Sequence, residues 1–229
     1  MNVSEQLTVV KTLSKKEKIA KRVAQMFRDG SLVNLGVGLP TLIPSFIPKE
    51  VEIWAHAENG IVGVGPPALK GEEDYLYVDA GNRFCTIKPG GSFFGSATSF
   101  GLIRGGHVDF TVLGAMQVDE EGNLANWMVP GGKMAGMGGA MDLVVGAKKV
   151  IVASEHCTRD GSPKILKKCT FPLTGARVVD IIVTELAYIE VTPEGLLLKE
   201  ISADTTIDEV ISKTEAELII ADDISVMNV

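Results

Sequence analysis

The sequence predicts an α/β protein with a mostly parallel sheet covered by helices on both faces. Short apolar runs suited to buried strands alternate with segments of helical periodicity, the order found where helices connect parallel strands. Glycine is abundant, at 25 of 229 residues, as expected where loops turn tightly or approach a ligand. A chain of this length buries one substantial core, so we expect a single domain over residues 1–229.

The first predicted helix begins after Ser14, where Ser14 and Glu17 have the spacing of a capping box. Apolar residues then recur at helical spacing as far as Phe27. Gly30 suits the C-terminal cap, because glycine tolerates the left-handed conformation in which many helices end. The pattern predicts an amphipathic helix that ends close to Gly30.

The remaining elements follow from apolar runs and from the turns between them. The predicted strands are residues 32–35, 51–54, 108–113, 150–152 and 178–184, and the predicted helices are 96–104 and 206–213. Farther along, the runs 187–191 and 196–198 flank a turn that contains Pro193 and Gly195, which predicts a β-hairpin.

Charge and composition exclude several classes of function. A net charge of −7 provides no basic face, so we expect no nucleic-acid partner. The N-terminus is too polar for a signal peptide, and no apolar run reaches the ~20 residues of a membrane span, so we expect no membrane partner. Three cysteines (Cys85, Cys157 and Cys169) without framework spacing indicate a reducing compartment, and hence the cytoplasm.

The common nucleotide motifs do not fit this chain. Residues 63–68 satisfy a loose GxGxxA pattern, but Pro66 and Pro67 stand where that motif needs free backbone amides. No P-loop sequence occurs. We therefore predict neither a dinucleotide site nor a P-loop.

Metal and hydrolase motifs are also missing. His56, His107, His156 and the cysteines have neither HExxH nor CxxC spacing, so we predict no metal. Ser154, Glu155 and His156 have the residue types of a catalytic triad, but adjacent residues of an extended chain point to opposite sides. We expect these three side chains to be packed or solvated.

Three segments of the chain are rich in glycine: residues 34–41, 58–67 and 131–142. Loops at the carboxyl ends of parallel strands form the ligand crevice of α/β folds, and glycine lets their backbone approach the ligand. Glu58 follows the run 51–57, and the next two residues, Asn59 and Gly60, favour a tight turn that projects its carboxylate. A surface glutamate in a turn is the ordinary alternative, but the other two loops favour a functional role, because oxyanion stabilisation needs converging backbone donors.

Several motifs then occur in a fixed order. They are Asn-Leu-Gly-Val-Gly-Leu-Pro (34–40), Glu-Asn-Gly (58–60), Ser-Phe-Phe (92–94), Ile-Arg-Gly-Gly-His (103–107), Leu-Ala-Asn-Trp (124–127), Gly-Met-Gly-Gly-Ala-Met-Asp (136–142) and Lys-Lys-Cys-Thr-Phe-Pro-Leu-Thr-Gly (167–175). In this order and spacing they resemble the β subunit of 3-oxoacid and butyrate–acetoacetate coenzyme A (CoA) transferases. The resemblance covers roughly residues 14–220.

This resemblance implies the CoA transferase fold, an open α/β fold related to that of phosphosugar isomerases. It implies that CoA passes between an acyl-CoA and a short-chain carboxylate or 3-oxoacid by a ping-pong mechanism. In the family the glutamate of Glu-Asn-Gly is the nucleophile, which corresponds to Glu58, and it becomes a glutamyl-CoA thioester.

The resemblance also implies roles for several residues around Glu58. Gly139 matches the position of an oxyanion donor, with Gly138 allowing the close approach. Asn34 matches an asparagine that contacts CoA, and Gly36 and Gly38 keep its loop flat. Simple turn positions are the alternative for these four glycines.

A partner chain is implied as well, namely the α subunit of the same transferase in a heterotetramer or larger assembly. Coenzyme A enters as a substrate, together with acyl-CoA and carboxylate substrates, and no cofactor is bound permanently.

Two positions depart from the family pattern. Ala57 stands where many relatives have serine, and Asn82 stands where some oxoacid enzymes have lysine. If that lysine holds a second carboxylate, its loss favours short monocarboxylates as substrates.

Other functions remain open at the level of sequence. A phosphosugar isomerase or sensor has a related architecture, but it would give the Glu-Asn-Gly motif no role. An acyl-CoA hydrolase would use the same intermediate and let water intercept it. A non-catalytic subunit is the third alternative, and the intact Glu58 argues against it.

Overall fold

A ten-stranded sheet runs through the computed structural model, which describes residues 12–132 and 136–229. The strands are β1 (Leu32–Leu35), β2 (Trp54–Ala57), β3 (Ile61–Pro67), β4 (Cys85–Phe93), β5 (Phe110–Leu113), β6 (Gln117–Asp119), β7 (Leu124–Ala125), β8 (Lys149–Ala153), β9 (Ile165–Leu166), β10 (Ile181–Val183), β11 (Ala187–Thr192), β12 (Gly195–Ile201) and β13 (Leu218–Val226). The helices are α1 (Lys15–Ala24), α2 (Ser96–Arg104), α3 (Ala140–Gly146) and α4 (Ile207–Ser212), with a 3-10 helix at Leu39–Phe46.

The centre of the large sheet is parallel. Its order is β13-β12-β11-β10-β8-β5-β1-β2-β3-β4, and the five strands from β10 to β2 all run in the same direction. Antiparallel strand pairs flank this centre on both sides. At one edge of the sheet, β13 pairs with β12 in parallel. Strands β7, β6 and β9 form a separate small sheet.

Apolar side chains cover both faces of the parallel strands. On β8, Ile151 packs in the cluster that contains α1, whereas Val150 and Val152 pack on the opposite side in the cluster with Val144 of α3. All three are no more than 2% exposed. Strands buried on both faces read as continuous apolar runs, which is why the sequence signal was strong here. The predicted α/β fold is confirmed.

Several predicted elements are confirmed closely. Helix α2 has the predicted bounds, α4 lies within the predicted 206–213, and β11 and β12 form the predicted hairpin. The Ser14–Glu17 capping box is present, since each side chain bonds the backbone N–H of the other residue at 2.8 and 3.3 Å.

Two local predictions were wrong. Helix α1 ends at Ala24, and Gly30 lies in the turn before β1, with φ at +77° and its N–H donating to the Glu52 carbonyl. The second strand occupies Trp54–Ala57 instead of residues 51–54, because Trp54 pairs with Leu32 of β1. Glu58 therefore follows the last residue of a strand directly. No helix in the described ranges is long and apolar enough to span a membrane.

Candidate active site

Glu58 stands in a tight turn between β2 and β3. Gly60 closes the turn with φ at +125°, and its N–H donates to the Ala57 carbonyl at 3.0 Å. A Cβ atom at Gly60 would lie 2.0 Å from the Phe94 carbonyl oxygen, so only glycine fits. Asn59 secures the other side by donating from Nδ2 to the Val78 carbonyl at 2.7 Å. The half-buried Glu58 carboxylate is thus presented by an anchored turn.

Asn34 lies next to Glu58 at the carboxyl end of β1. It is 1% exposed and pairs in register with His56 of the neighbouring strand. Its Nδ2 is 3.2 Å from Oε2 of Glu58 and 3.1 Å from the His56 carbonyl oxygen. Both neighbours are acceptors, so they determine which way the amide points. An N–H of Asn34 is therefore directed at the glutamate carboxylate.

His56 is part of the same buried arrangement and was considered in the sequence only as a possible metal ligand. Its Nδ1 is 3.3 Å from Asn34 Nδ2, and its Nε2 is 2.9 Å from Oγ of Ser99 on α2. Burial lowers the pKa of His56, and the nearby Glu58 carboxylate opposes this shift in part. The missed signal was the strand period of two, which places residues 56 and 58 on one face.

Gly139 brings the third loop to the site. A Cβ atom at this position would lie 3.1 Å from Cγ of Glu58 and 3.3 Å from Cζ of Phe100 on α2. Gly138 differs, because it has a left-handed φ of +51° and a Cβ there would meet nothing within 4 Å. The close approach to Glu58 is made by Gly139, and that Gly138 allows this approach through its left-handed conformation stays a prediction. Residues 133–135 of this segment lie outside the described residues.

Gly36 and Gly38 lie in the loop that leaves β1. The Gly36 N–H donates to the Val112 carbonyl at 2.8 Å, and a Cβ at Gly36 would lie 3.0 Å from that oxygen. Gly38 has open space around it but a φ of +92°, and it begins the 3-10 helix. Gly36 is thus required by packing and Gly38 by its backbone conformation.

A cleft of about 780 Å³ opens beside Glu58. Its wall includes the turn around Asp79 and Arg83, which is connected to the Glu58 turn through the Asn59–Val78 hydrogen bond. Arg83 donates to Asp79 from Nε and Nη2 at 3.0 and 2.7 Å. Lys88, another cation of the wall, pairs with Glu52 at 2.6 Å. Both of these positive charges already have a carboxylate partner.

The fold and this geometry define an α/β protein with a presented carboxylate at the carboxyl edge of a parallel sheet, where substrates of such folds bind. The family model described as Coenzyme A transferase matches residues 16–213. The chain belongs to the coenzyme A transferase family, and its enzyme class is that of a CoA transferase β subunit.

Individual relatives agree with this assignment. An acetate CoA-transferase subunit beta from Haemophilus influenzae is 51% identical over 217 residues, covering 95% of this chain and 97% of its own length. A mitochondrial succinyl-CoA:3-ketoacid coenzyme A transferase 2B from Mus musculus is 49% identical over 212 residues. That match covers 92% of this chain but only 41% of the mouse protein.

A solved structure has the same fold. The acyl-CoA transferase YdiF of Escherichia coli O157:H7, without ligand, superposes with a TM-score of 0.76 at 21% identity. The match covers 95% of this chain and 44% of that one, so this chain spans less than half of that single-chain enzyme.

Proposed function

We propose that this chain carries the nucleophile of a CoA transferase and that Glu58 is that nucleophile. The observation that supports it most is the meeting of three separate segments of the chain at one carboxylate. Glu58 lies 3.2 Å from the Asn34 amide, and a Cβ atom at Gly139 would lie only 3.1 Å from its Cγ. A surface glutamate in an ordinary turn has no need of either neighbour.

The reaction begins when a Glu58 carboxylate oxygen attacks the carbonyl carbon of an acyl-CoA thioester. The carbon–sulfur bond breaks, the CoA thiolate leaves with the electron pair, and an acyl–glutamyl anhydride remains. The thiolate then attacks the glutamyl carbonyl carbon. The anhydride carbon–oxygen bond breaks, the first acid leaves as a carboxylate, and Glu58 carries CoA as a thioester. An acceptor carboxylate reverses these two steps.

Each attack creates an oxyanion, and the site has a candidate donor for each one. The backbone N–H of Gly139, at the beginning of α3, is the candidate for the oxygen of the substrate acyl group. The Asn34 amide already reaches Oε2 of Glu58, so it is the candidate for the oxygen of the glutamyl carbonyl. The direct CoA contact implied for Asn34, and the CoA-loop role of Gly36 and Gly38, also remain proposals. Because Asn34 is buried, we prefer its role as donor to the Glu58 carbonyl oxygen over a direct contact with CoA.

The activated intermediates must be kept from water, or transfer becomes hydrolysis. The half-buried position of Glu58 between the Asn34 and Gly139 loops supports transfer. Acceptor dependence separates the two reactions. A transferase releases free CoA slowly in the absence of an acceptor acid, whereas a hydrolase releases it continuously.

Short monocarboxylates, such as acetate, are the substrates that we propose. Relatives named acetate CoA-transferase subunit beta match 92–95% of this chain at 50–51% identity. Arg83 and Lys88 in the cleft wall are already paired with Asp79 and Glu52, so a second carboxylate would have to compete for these two charges, and the third cation of the wall is the exposed Lys49. Asn82 occupies a left-handed turn position, with φ at +62°, to which asparagine is well suited.

The partner that we propose is an α subunit, which supplies the part of the enzyme that longer single-chain relatives carry themselves. An exposed apolar patch lies beside the nucleophile turn in support of this. Its members are Leu69, Tyr75, Leu76, Tyr77, Phe84 and Phe93, between 37% and 81% exposed. Patches of this kind mark association surfaces. The three cysteines are free in the structure, and we propose that the enzyme works in the cytoplasm.

Covalent trapping tests the nucleophile. Borohydride added after acyl-CoA, without an acceptor acid, should inactivate the assembled enzyme and modify one peptide that contains Glu58. Borohydride alone should do neither, because a free carboxylate resists reduction. Glu58→Ala and Glu58→Gln should abolish both labelling and transfer while the fold stays intact. Near-normal transfer by Glu58→Ala, or a label on another residue such as Glu155, would refute the assignment.

A further inference from the structure

We propose that His56 is a positioning residue, held as the neutral Nε2–H tautomer between Ser99 and Asn34 so that the Asn34 amide donates to Glu58. This inference rests on the proposed role of Glu58 as the nucleophile. It concerns a chain of contacts that begins on α2, crosses two strands and ends at the carboxylate: Ser99, His56, Asn34 and Glu58.

The tautomer follows from the acceptors around Asn34. Its Nδ2 faces the His56 carbonyl oxygen at 3.1 Å and Glu58 Oε2 at 3.2 Å, so the nitrogen, and not the amide oxygen, must occupy that place. The same Nδ2 is 3.3 Å from His56 Nδ1. The amide has two N–H hydrogens for these three neighbours, so Nδ1 and the His56 carbonyl oxygen share one of them while the other points to Glu58. An amide nitrogen only donates, so a proton on Nδ1 would face a donor, and the contact favours a bare Nδ1. The ring proton is then on Nε2, where it donates to Ser99 Oγ at 2.9 Å.

The surroundings of the ring favour this neutral form. His56 is 4% exposed and Ser99 is fully buried, and burial lowers the pKa of His56. Glu58 is the charged group that acts on the ring, and it raises the pKa of His56 against the larger effect of burial. The polar groups that face the ring from β1 and α2, Asn34 and Ser99, carry no charge.

A proton on Nδ1 would disturb the nucleophile. It would set two donors against each other at 3.3 Å, and the Asn34 amide would relieve this by moving away from the ring or by turning over. Displacement lengthens the contact between the amide and Glu58, and a turned amide would set its oxygen against both the Glu58 carboxylate and the His56 carbonyl. The acceptor at Nδ1 therefore keeps the Asn34 donor in place as charge develops on the glutamyl carbonyl.

Two substitutions of His56 separate this role from simple packing. His56→Asn places an amide oxygen close to the position of Nδ1, so it keeps an acceptor for Asn34. His56→Leu keeps apolar bulk and removes the acceptor. In the enzyme assembled with its partner chain, we expect His56→Leu to lower kcat by about tenfold to a hundredfold, since misplacement by ~1 Å costs ~10². KM for acyl-CoA should change by less than about twofold.

His56→Asn should recover most of the lost kcat, and His107→Asn, the same change at an exposed histidine, should match the wild type. A folded His56→Leu enzyme with wild-type kcat would overturn the proposal, and so would equal losses in the Leu and Asn variants. Glu58→Ala distinguishes a failure of the nucleophile proposal from a failure of the His56 proposal. If that variant transfers CoA, the nucleophile itself is wrong, whereas an inactive Glu58→Ala with a fully active His56→Leu refutes only the role of His56.

Nitrogen NMR of the wild-type chain tests the tautomer even if His56→Leu fails to fold. With ¹⁵N-labelled histidine, and His56→Asn to assign the signal, we expect a protonated Nε2 and a bare Nδ1 at pH 7. An Nδ1–H tautomer or an imidazolium at that pH would overturn the proposal.

Discussion

The Glu58 side chain has the length that its two neighbours require. Its carboxylate reaches the Asn34 amide while its Cγ rests against Gly139. Glu58→Asp retains the charge but withdraws the carboxylate by about 1.5 Å, one carbon–carbon bond. We expect transfer to fall by about 10²-fold or more, because the reacting oxygen no longer meets its donor. Steady-state assays of the assembled enzyme measure this loss.

Glu155→Asp is the matched control for that shortening. Glu155 is a partly buried glutamate in the loop after β8, a strand that β5 and β1 separate from β2 in the sheet. Shortening this side chain in Glu155→Asp should leave the rate of CoA transfer within about twofold of the wild type. If Glu58→Asp were equally mild, the carboxylate of residue 58 would not be the attacking group.

His156 is the other buried histidine, and it makes stability depend on pH. Nδ1 and Nε2 each lie 2.9 Å from a threonine hydroxyl, on Thr184 and Thr214, and burial lowers the pKa of the ring to about 4. The unfolded chain, with a histidine pKa of about 6.5, binds the proton first as the pH falls. His156 therefore favours the unfolded state progressively from about pH 6.5 down to about pH 4.

The resulting loss should be about 2 kcal/mol between pH 8 and pH 5, by proton linkage. Urea unfolding at the two pH values measures it. His156→Gln should lower stability at pH 8, where the histidine packs well, yet remove most of the extra loss at pH 5. His107→Gln, at an exposed histidine, should keep the wild-type pH dependence. An unchanged pH dependence in His156→Gln would contradict this account.

At the scale of elements, the β2–β3 turn and the end of β4 hold each other in place. Phe94 donates to the Gly60 carbonyl, and the Phe94 carbonyl occupies the space where a Gly60 side chain would point. Gly60→Ala combines that collision with an unfavourable φ of +125°. We expect it to destabilise the fold by roughly 2–4 kcal/mol and to displace Glu58.

Gly101→Ala is the contrasting change. Gly101 lies inside helix α2, is exposed, and has nothing within 4 Å of its Cβ position. Alanine there should stabilise the protein by up to ~1 kcal/mol, because it favours the helix. Thermal unfolding of both variants checks the pair. A Gly60→Ala protein as stable as the wild type would mean that the turn is loose enough to accept a side chain at residue 60.

Considered as a whole molecule, the chain exposes an aromatic surface beside the turn that carries Glu58. Tyr77 and Phe93 stack at 5.5 Å between ring centroids, and Tyr75 is 81% exposed. We expect the purified chain to lack transferase activity until a partner subunit covers this patch. An assay of the isolated chain, followed by titration with its partner, tests the expectation, and full turnover without a partner would overturn it.

Substitutions show whether this patch is the contact. Tyr75→Ser with Leu76→Ser should weaken association at least tenfold, since two large apolar side chains are lost from the interface. Ile211→Ser, at an exposed apolar residue of α4, is the control and should associate normally. Calorimetric titration with the partner provides the comparison.

That residues 1–229 form one domain also stays a prediction, which a two-state unfolding transition of the chain would support.

Local patterns made much of the fold predictable. Continuous apolar runs on β5 and β8 indicated strands buried on both faces, and α2 and the β11–β12 hairpin followed from helical spacing and turn residues. Strand β4 was missed because it contains Pro89 and two glycines, which argue against a strand. Pro89 is tolerated because β4 is an edge strand. At the edge of a sheet, the N–H that proline lacks has no neighbouring strand to bond.

The sequence by itself determined the class of fold, the turn that presents Glu58 and the resemblance to CoA transferases, because periodicity and turn chemistry act over a few residues. Only the tertiary structure decided what surrounds the carboxylate. Asn34 is 24 residues from Glu58, and Ser99 is 43 residues from His56, so strand register and helix packing alone bring them together. The same packing decided that Gly139, and not Gly138, approaches Glu58. The distance between the Gly139 backbone and the Glu58 side chain depends on how α2 and α3 pack on the sheet.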